Sequence, residues 1–160
     1  MDVALVWDGS GADIGLTGGD LQADEGLATA VVISLLSDGR ADADDVLPGG
    51  EGVLARRGWW AADSTGWGSL LWLLAREKTL PATAARAEEY ARTALQWLVD
   101  DGIAATVEAT AEILNAQTIA MQIIISRGKN RRYDYLWRNM QTDTYITTLK
   151  LGGGQVVVGN

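Results

Sequence analysis

The sequence predicts an α+β fold in which three helices pack on one face of an antiparallel β-meander, with an N-terminal β-hairpin and a C-terminal strand extension. Two periodicities and a set of turn signals carry that reading. Beyond Pro81, the residues Ala84, Ala87, Ala91, Ala94 and Leu98 recur at spacings of three and four, one face of an α-helix. Beyond Ala105 the period switches to two: Val107, Ala109, Ala111 and Ile113 alternate with Thr106, Glu108, Thr110 and Glu112, as in a strand with one wet face. Short turn segments at Asn115-Ala116-Gln117 and Gly128-Lys129-Asn130 separate that strand from two further apolar runs, and strands joined by short turns pair antiparallel.

The elements follow in order. Val3, Leu5 and Trp7 alternate with Asp2, Ala4 and Val6, and Asp8-Gly9-Ser10-Gly11 signals a turn into a return strand through Ile14 and Leu16. Gly18-Gly19-Asp20 breaks that pattern. From about Asp24 to Ser37 the chain is apolar on most faces, a deeply buried helix with Asp24 as N-cap and Gly39 as its stop. Residues 38–68 hold seven glycines and no sustained period, and a structureless stretch this long within a compact domain is usually functional or partly disordered. A second helix is expected from Ser69 to Lys78, and the third starts with Pro81 in its first turn and stops at Asp100-Asp101-Gly102. Arg86, Glu89, Arg92 and Gln96 lie opposite its alanine face, with Tyr90 and Trp97 at the edge. Strands are expected over 106–113, through Ile119, Met121, Ile123 and Ile125, and through Tyr133, Tyr135 and Trp137. Residues 1–138 form one domain on this reading, and 139–160 a β-extension: a strand from Tyr145 to Leu151, a Gly152-Gly153-Gly154 joint, then Val156-Val157-Val158.

Composition narrows the function. The 160 residues are 48% hydrophobic and 21% charged, suited to a globular domain. Net charge is −8, which argues against sequence-independent nucleic-acid binding, where Lys and Arg must neutralise phosphates. Charge is uneven: residues 1–50 hold ten acids against Arg40 alone, a net of −9, so the remainder is at +1. The chain has neither Cys nor His, which removes thiolate chemistry, disulfides, the commonest metal ligands and the commonest general base. The start at Met1-Asp2 lacks a basic leader, and the run Ala30 to Leu36 is far short of the roughly 20 apolar residues that span a bilayer. A soluble protein made in a cytoplasm, with no membrane partner, is the expectation.

No catalytic, metal or cofactor site emerges. Counted as a calcium loop from Asp42, position 6 is Leu47 and position 12 is Val53, where Gly and Glu are required. Asp8-Gly9-Ser10-Gly11 has no following P-loop lysine. Glu108 and Glu112 share a strand face but stand about 13 Å apart, beyond the roughly 5–9.5 Å of glycosidase pairs. Glu88 and Glu89 are adjacent on a helix and point apart.

The aromatic and basic residues point to contacts. Trp72 and Trp97 sit in apolar helical patterns and read as core. Arg56-Arg57 and Trp59-Trp60 occupy the long loop. The tryptophans either anchor the loop to the body, leaving the arginines near the surface for a partner, or meet another protein, Trp and Arg being enriched at binding hot spots. Arg131 and Arg132, with Arg127 and Lys129, surround the last turn, either as an ordinary solvated turn or facing an acidic partner. Tyr145, Leu149 and Leu151 form the apolar side of the tail strand, which needs a sheet edge. That edge is either its own sheet's or, across the glycine joint, another subunit's.

The order of several spaced motifs carries a resemblance. Trp7-Asp8-Gly9 opens the chain, Gly19-Asp20-Leu21 precedes Leu27-Ala28-Thr29-Ala30-Val31, and Arg40-Ala41-Asp42-Ala43-Asp44-Asp45 follows that helix. Arg57-Gly58-Trp59-Trp60, Gly68-Ser69 with Leu71-Trp72-Leu73-Leu74, and Ala87-Glu88-Glu89-Tyr90-Ala91 with Ala94-Leu95-Gln96-Trp97-Leu98 complete the set. Over roughly residues 3–138 this resembles the small baseplate proteins of Mu-like bacteriophages, themselves similar to the lysozyme-named baseplate wedge protein of larger contractile-tailed phages. The Glu-Pro-Arg signature of those larger relatives is absent; the chain reads Asp100-Asp101-Gly102-Ile103 there. The resemblance implies a structural virion protein, assembled in the host cytoplasm into copies around a sixfold axis. Its implied partners are other baseplate wedge proteins and the sheath subunit, whose assembly it helps to start, with the tail tube or hub as further neighbours. A tail-associated peptidoglycan hydrolase and a tail assembly chaperone are the alternative functions.

Overall fold

The computed structural model describes residues 2–7, 12–24, 27–48, 56–59, 67–116, 118–127, 142–150 and 155–159, the last two stretches as strand backbone. The fold is α+β, with helices and antiparallel strand pairs. The third strand expected at Tyr133 to Trp137, the turn at residues 8–11, Trp60, Arg131, Arg132 and Leu151 lie outside the described residues.

Six short strands come first: β1 (Asp2–Val3), β2 (Leu5–Trp7), β3 (Ala12–Ile14), β4 (Leu16–Thr17), β5 (Asp20–Leu21) and β6 (Ala23–Asp24). β1 pairs with β6, β2 with β3 and β4 with β5, all antiparallel. The return strand expected through Ile14 and Leu16 is therefore divided at Gly15, and Gly18-Gly19 is the turn of a further strand pair rather than a break. Three pairs of strands meet at one ring of hydrogen bonds: Ala4 N–H donates to Gln22 O (2.8 Å), Gln22 N–H to Gly15 O (2.8 Å) and Gly15 N–H to Ala4 O (3.1 Å). A Cβ at Gly15 would stand 2.7 Å from Gln22 Oε1 and 2.9 Å from Val6 Cγ2, so a side chain here would have to displace those of Gln22 and Val6.

Helix α1 (Ala28–Leu36) starts after Leu27, three residues beyond the N-cap that the sequence suggests. Asp24 still serves its first turn, because its Oδ2 accepts the Thr29 N–H at 2.8 Å. Thr29 ties helix to strand, accepting the Leu5 N–H (3.1 Å) and donating to Val3 O (3.2 Å). The segment expected as a second α-helix is a 3-10 helix, Leu71–Arg76. Its N–H groups bond three residues back (Leu73 to Leu70 O, Glu77 to Leu74 O), and the three-residue repeat stacks buried Leu71 over buried Leu74. Ser69 Oγ accepts the Leu71 N–H, a capping role close to the one expected.

Helix α2 (Pro81–Leu95) is followed by the single turn α3 (Trp97–Asp100), so the expected third helix is divided at Gln96, where the N–H bonds back only to Thr93 O. Pro81 begins α2 and the alanine face is buried throughout, as the spacing requires. That face packs on β7 (Thr106–Asn115), where Ala109 and Ala111 allow close approach. β7 pairs antiparallel with β8 (Thr118–Ser126) in the register Val107 to Ile125 and Ile113 to Ile119. From β8, Ile119, Met121, Ile123 and Ile125 enter the core beneath α1, α2 and the 3-10 helix. β9 (Thr142–Lys150) pairs with β8, and β10 (Gln155–Gly159) with β9, giving the order β10-β9-β8-β7. The tail strands thus complete the chain's own sheet, and residues 155–159 pair within the same chain rather than leaving for another edge.

Candidate interaction site at the base of the long loop

The loop opened by Asp38 and closed by Gly68 is tied shut by its backbone. Ser69 N–H donates to Ser37 O and Gly39 N–H to Ser69 O, both at 2.8 Å, which makes a parallel bridge between Asp38 and Ser69. Gly68 has φ +104°, and a Cβ there would lie 2.8 Å from both Gly39 N and Ser37 O. The two backbone segments cross at this distance because both crossing residues, Gly39 and Gly68, lack a side chain.

Side chains then fasten the loop over the crossing. Trp72, from the 3-10 helix, donates its indole N–H to Gly39 O at 2.9 Å. The Arg57 guanidinium lies over the Trp72 ring, 4.6 Å from its centroid, and Arg57 Nη1 meets Asp38 Oδ2 at 2.8 Å. This is a cation–π contact and an ion pair on one side chain, worth together about 1–2 kcal/mol at a half-exposed position. Arg57 also has φ +51°, a left-handed backbone for a residue with a side chain. Arg56 donates to Asp42 O and Ala43 O, and Ala41 N–H to Arg56 O. The start of the acidic segment 42–45 is thereby tied to the returning arm of the loop. Burial pushes the Tyr90 phenol on α2 above its usual range, and the Asp45 carboxylate adds to the shift.

Of the two readings of the loop residues, the one in which the tryptophans anchor the loop and the arginines wait for a partner differs from this arrangement. Arg56 and Arg57 hold the loop, whereas Trp59 is 52% exposed and stands beside the partly exposed Trp67, ring centroids 5.8 Å apart. Ser37, Asp38, Arg57, Gly58, Trp59 and Trp67 line an open cavity of about 400 Å³. Trp72, expected in the core, bridges loop and core instead. Asp38, Gly39, Trp67 and Gly68 belong to this cluster, a role the sequence reading did not give them; their signal is the bracketing of the long loop by Asp38-Gly39 and Gly68-Ser69. Trp97 packs against the core as expected, with its indole N–H on buried Ser34 Oγ at 3.0 Å. Tyr145 and Leu149 lie in β9 opposite Ile123 and Ile119 of β8.

Glu108 and Glu112 are both exposed on β7, while Glu88 is used structurally: its Oε1 accepts the Ala111 N–H at 2.7 Å, capping one outward backbone donor of the edge strand. Among the described residues no group of three or more acidic side chains converges as a metal site, and no helix is long and apolar enough to cross a membrane.

The family model described as phage protein GP46 matches residues 27–132. The chain is 39% identical over 127 residues to the baseplate protein gp46 of Escherichia phage Mu, covering 78% of this chain and 86% of the relative. It is 35% identical over 127 residues to the Mu-like prophage FluMu protein gp46 of Haemophilus influenzae, covering 78% and 85%. No solved structure matches the chain.

Proposed function

Since the chain belongs to the phage protein GP46 family, we propose that it is a structural component of a phage tail baseplate. The observation that carries this is the 39% identity over 127 residues to the Mu baseplate protein, along 86% of that protein's length. In finer terms, it is a wedge subunit of a contractile tail, present in copies around the tail axis. It contacts neighbouring wedge proteins and the sheath subunit, with tube or hub within reach, and helps sheath assembly to start. The geometry suits such a part. The loop base is fastened by Arg57, Asp38 and Trp72, and it leaves Trp59 and Trp67 exposed beside each other for a neighbour. Arg56, Arg57, Trp59, Trp60, Arg131 and Arg132 are the side chains proposed to line the contacts.

The test uses purified phage particles and a phage from which the gene is deleted. The protein should be found in finished particles, and its loss should leave tails without complete baseplates in electron micrographs. A cell-wall zymogram of the purified protein should stay blank. Clearing of the zymogram would favour a peptidoglycan hydrolase, and a protein needed for assembly but missing from finished particles would favour a chaperone.

A further inference from the structure

The N-terminal three-armed piece, residues 2–24, contributes no side chain to the buried apolar core among the described residues. It is held by its own ladders, by the hydrogen-bond ring at Gly15 and by the Thr29 bridge to α1. Five of the twelve large apolar side chains exposed on the described surface nevertheless lie here: Val3, Val6, Ile14, Leu16 and Leu21. The β4–β5 arm shows the greatest mismatch. Leu16 and Leu21 are directly opposite in its ladder, so both project from the same face, 70% and 55% exposed. Gly18 and Gly19, at φ +64° and +88°, close the arm in a two-residue turn with no atom within 4 Å of where either Cβ would be, so the tip stands clear of the body.

We propose that this arm is a docking peg that seats Leu16 and Leu21 in an apolar socket bordered by Lys and Arg on a different baseplate subunit. The proposal rests on the baseplate reading above and names the surface and the chemistry of one contact. Charge selects the occupant. Residues 1–24 contain Asp2, Asp8, Asp13, Asp20 and Asp24 and no base. Asp13 and Asp20 are exposed, each accepting the N–H of the next residue, so their carboxylates are held beside the arm. A symmetric contact with a second copy would bring these carboxylates face to face. An anionic bilayer surface would repel them as well. A basic rim around an apolar floor satisfies both the leucines and the aspartates.

A photo-reactive benzophenone side chain placed at position 16 in otherwise unchanged phage tests this directly. Its cross-link in finished particles should map to an apolar segment flanked by Lys or Arg in another baseplate protein. The Leu16→Ser/Leu21→Ser chain should melt at the wild-type temperature and enter particles at least tenfold less often. Asp13→Lys/Asp20→Lys should also fall in incorporation. Wild-type incorporation of the serine variant, its unfolding, or a cross-link to a second copy or to a surface without bases would overturn the peg. Absence of the wild-type chain from particles would instead remove the baseplate reading, and the peg with it.

Discussion

Replacing Gly68 with alanine tests whether the crossing at the loop base holds the fold together. Two costs add. At φ +104° a side chain brings backbone strain of about 1–2 kcal/mol. The new Cβ would stand 2.8 Å from Gly39 N and Ser37 O and 3.0 Å from Asp38 C, all backbone atoms that cannot rotate away. Separating the strands to relieve this weakens the two bonds Ser69 N–H to Ser37 O and Gly39 N–H to Ser69 O, each worth about 0.5–1.5 kcal/mol. The total is about 2–5 kcal/mol, and at roughly 2–4 °C per kcal/mol for a chain of this size the melting temperature should fall by roughly 4–20 °C. Gly19→Ala is the control: φ is again positive, at +88°, but no atom lies within 4 Å, so only the strain is incurred. Thermal unfolding followed by far-UV circular dichroism compares the two. Equal drops would refute the claim that close backbone approach, rather than φ alone, reserves position 68 for glycine.

Three further outcomes follow from the same geometry. Ala87, fully buried on the α2 face toward β7, leaves no room for a larger side chain, so Ala87→Leu should cost about 1–3 kcal/mol in a denaturant titration. Arg57→Ala should cost about 1–2 kcal/mol through lost contacts to Trp72 and Asp38. Arg57→Gly should cost less, since glycine relieves about 1–2 kcal/mol of strain at φ +51° against about 0.4–1 kcal/mol of added unfolded-state entropy; the reverse order of melting temperatures would show that the backbone there is unstrained. Deleting residues 142–160 turns β8 into an edge strand, so the truncated chain should self-associate in size-exclusion chromatography; a monodisperse monomer melting like the full chain would show that β9 is dispensable.

The alanine face of α2 and the alternation along β7 and β8 are legible in the sequence because each is a local repeat set by backbone geometry. Pro81 at the start of α2 and Ser69 ahead of the 3-10 helix are legible for a similar reason, since their effects act within a few residues. The aromatic and basic residues of the long loop identify the region of the candidate site, but not their roles. Nothing local distinguishes an arginine waiting for a partner from Arg57, whose guanidinium already has Trp72 and Asp38. The division of the N-terminal return strand at Gly15 is equally hidden, because it depends on Ala4 and Gln22 arriving at the same residue.

By itself, then, the chain's sequence determined the α+β class, the buried faces of its longest helix and central strands, and its family resemblance. Tertiary structure alone decided that Gly39 and Gly68 cross, that Arg57 spans Asp38 and Trp72, and that β9 lies beside β8. The physical reason is separation along the chain. Periodic burial is written in neighbours three, four or two residues apart, whereas these contacts join residues some 15 to 33 positions apart and exist only once the core has brought them together.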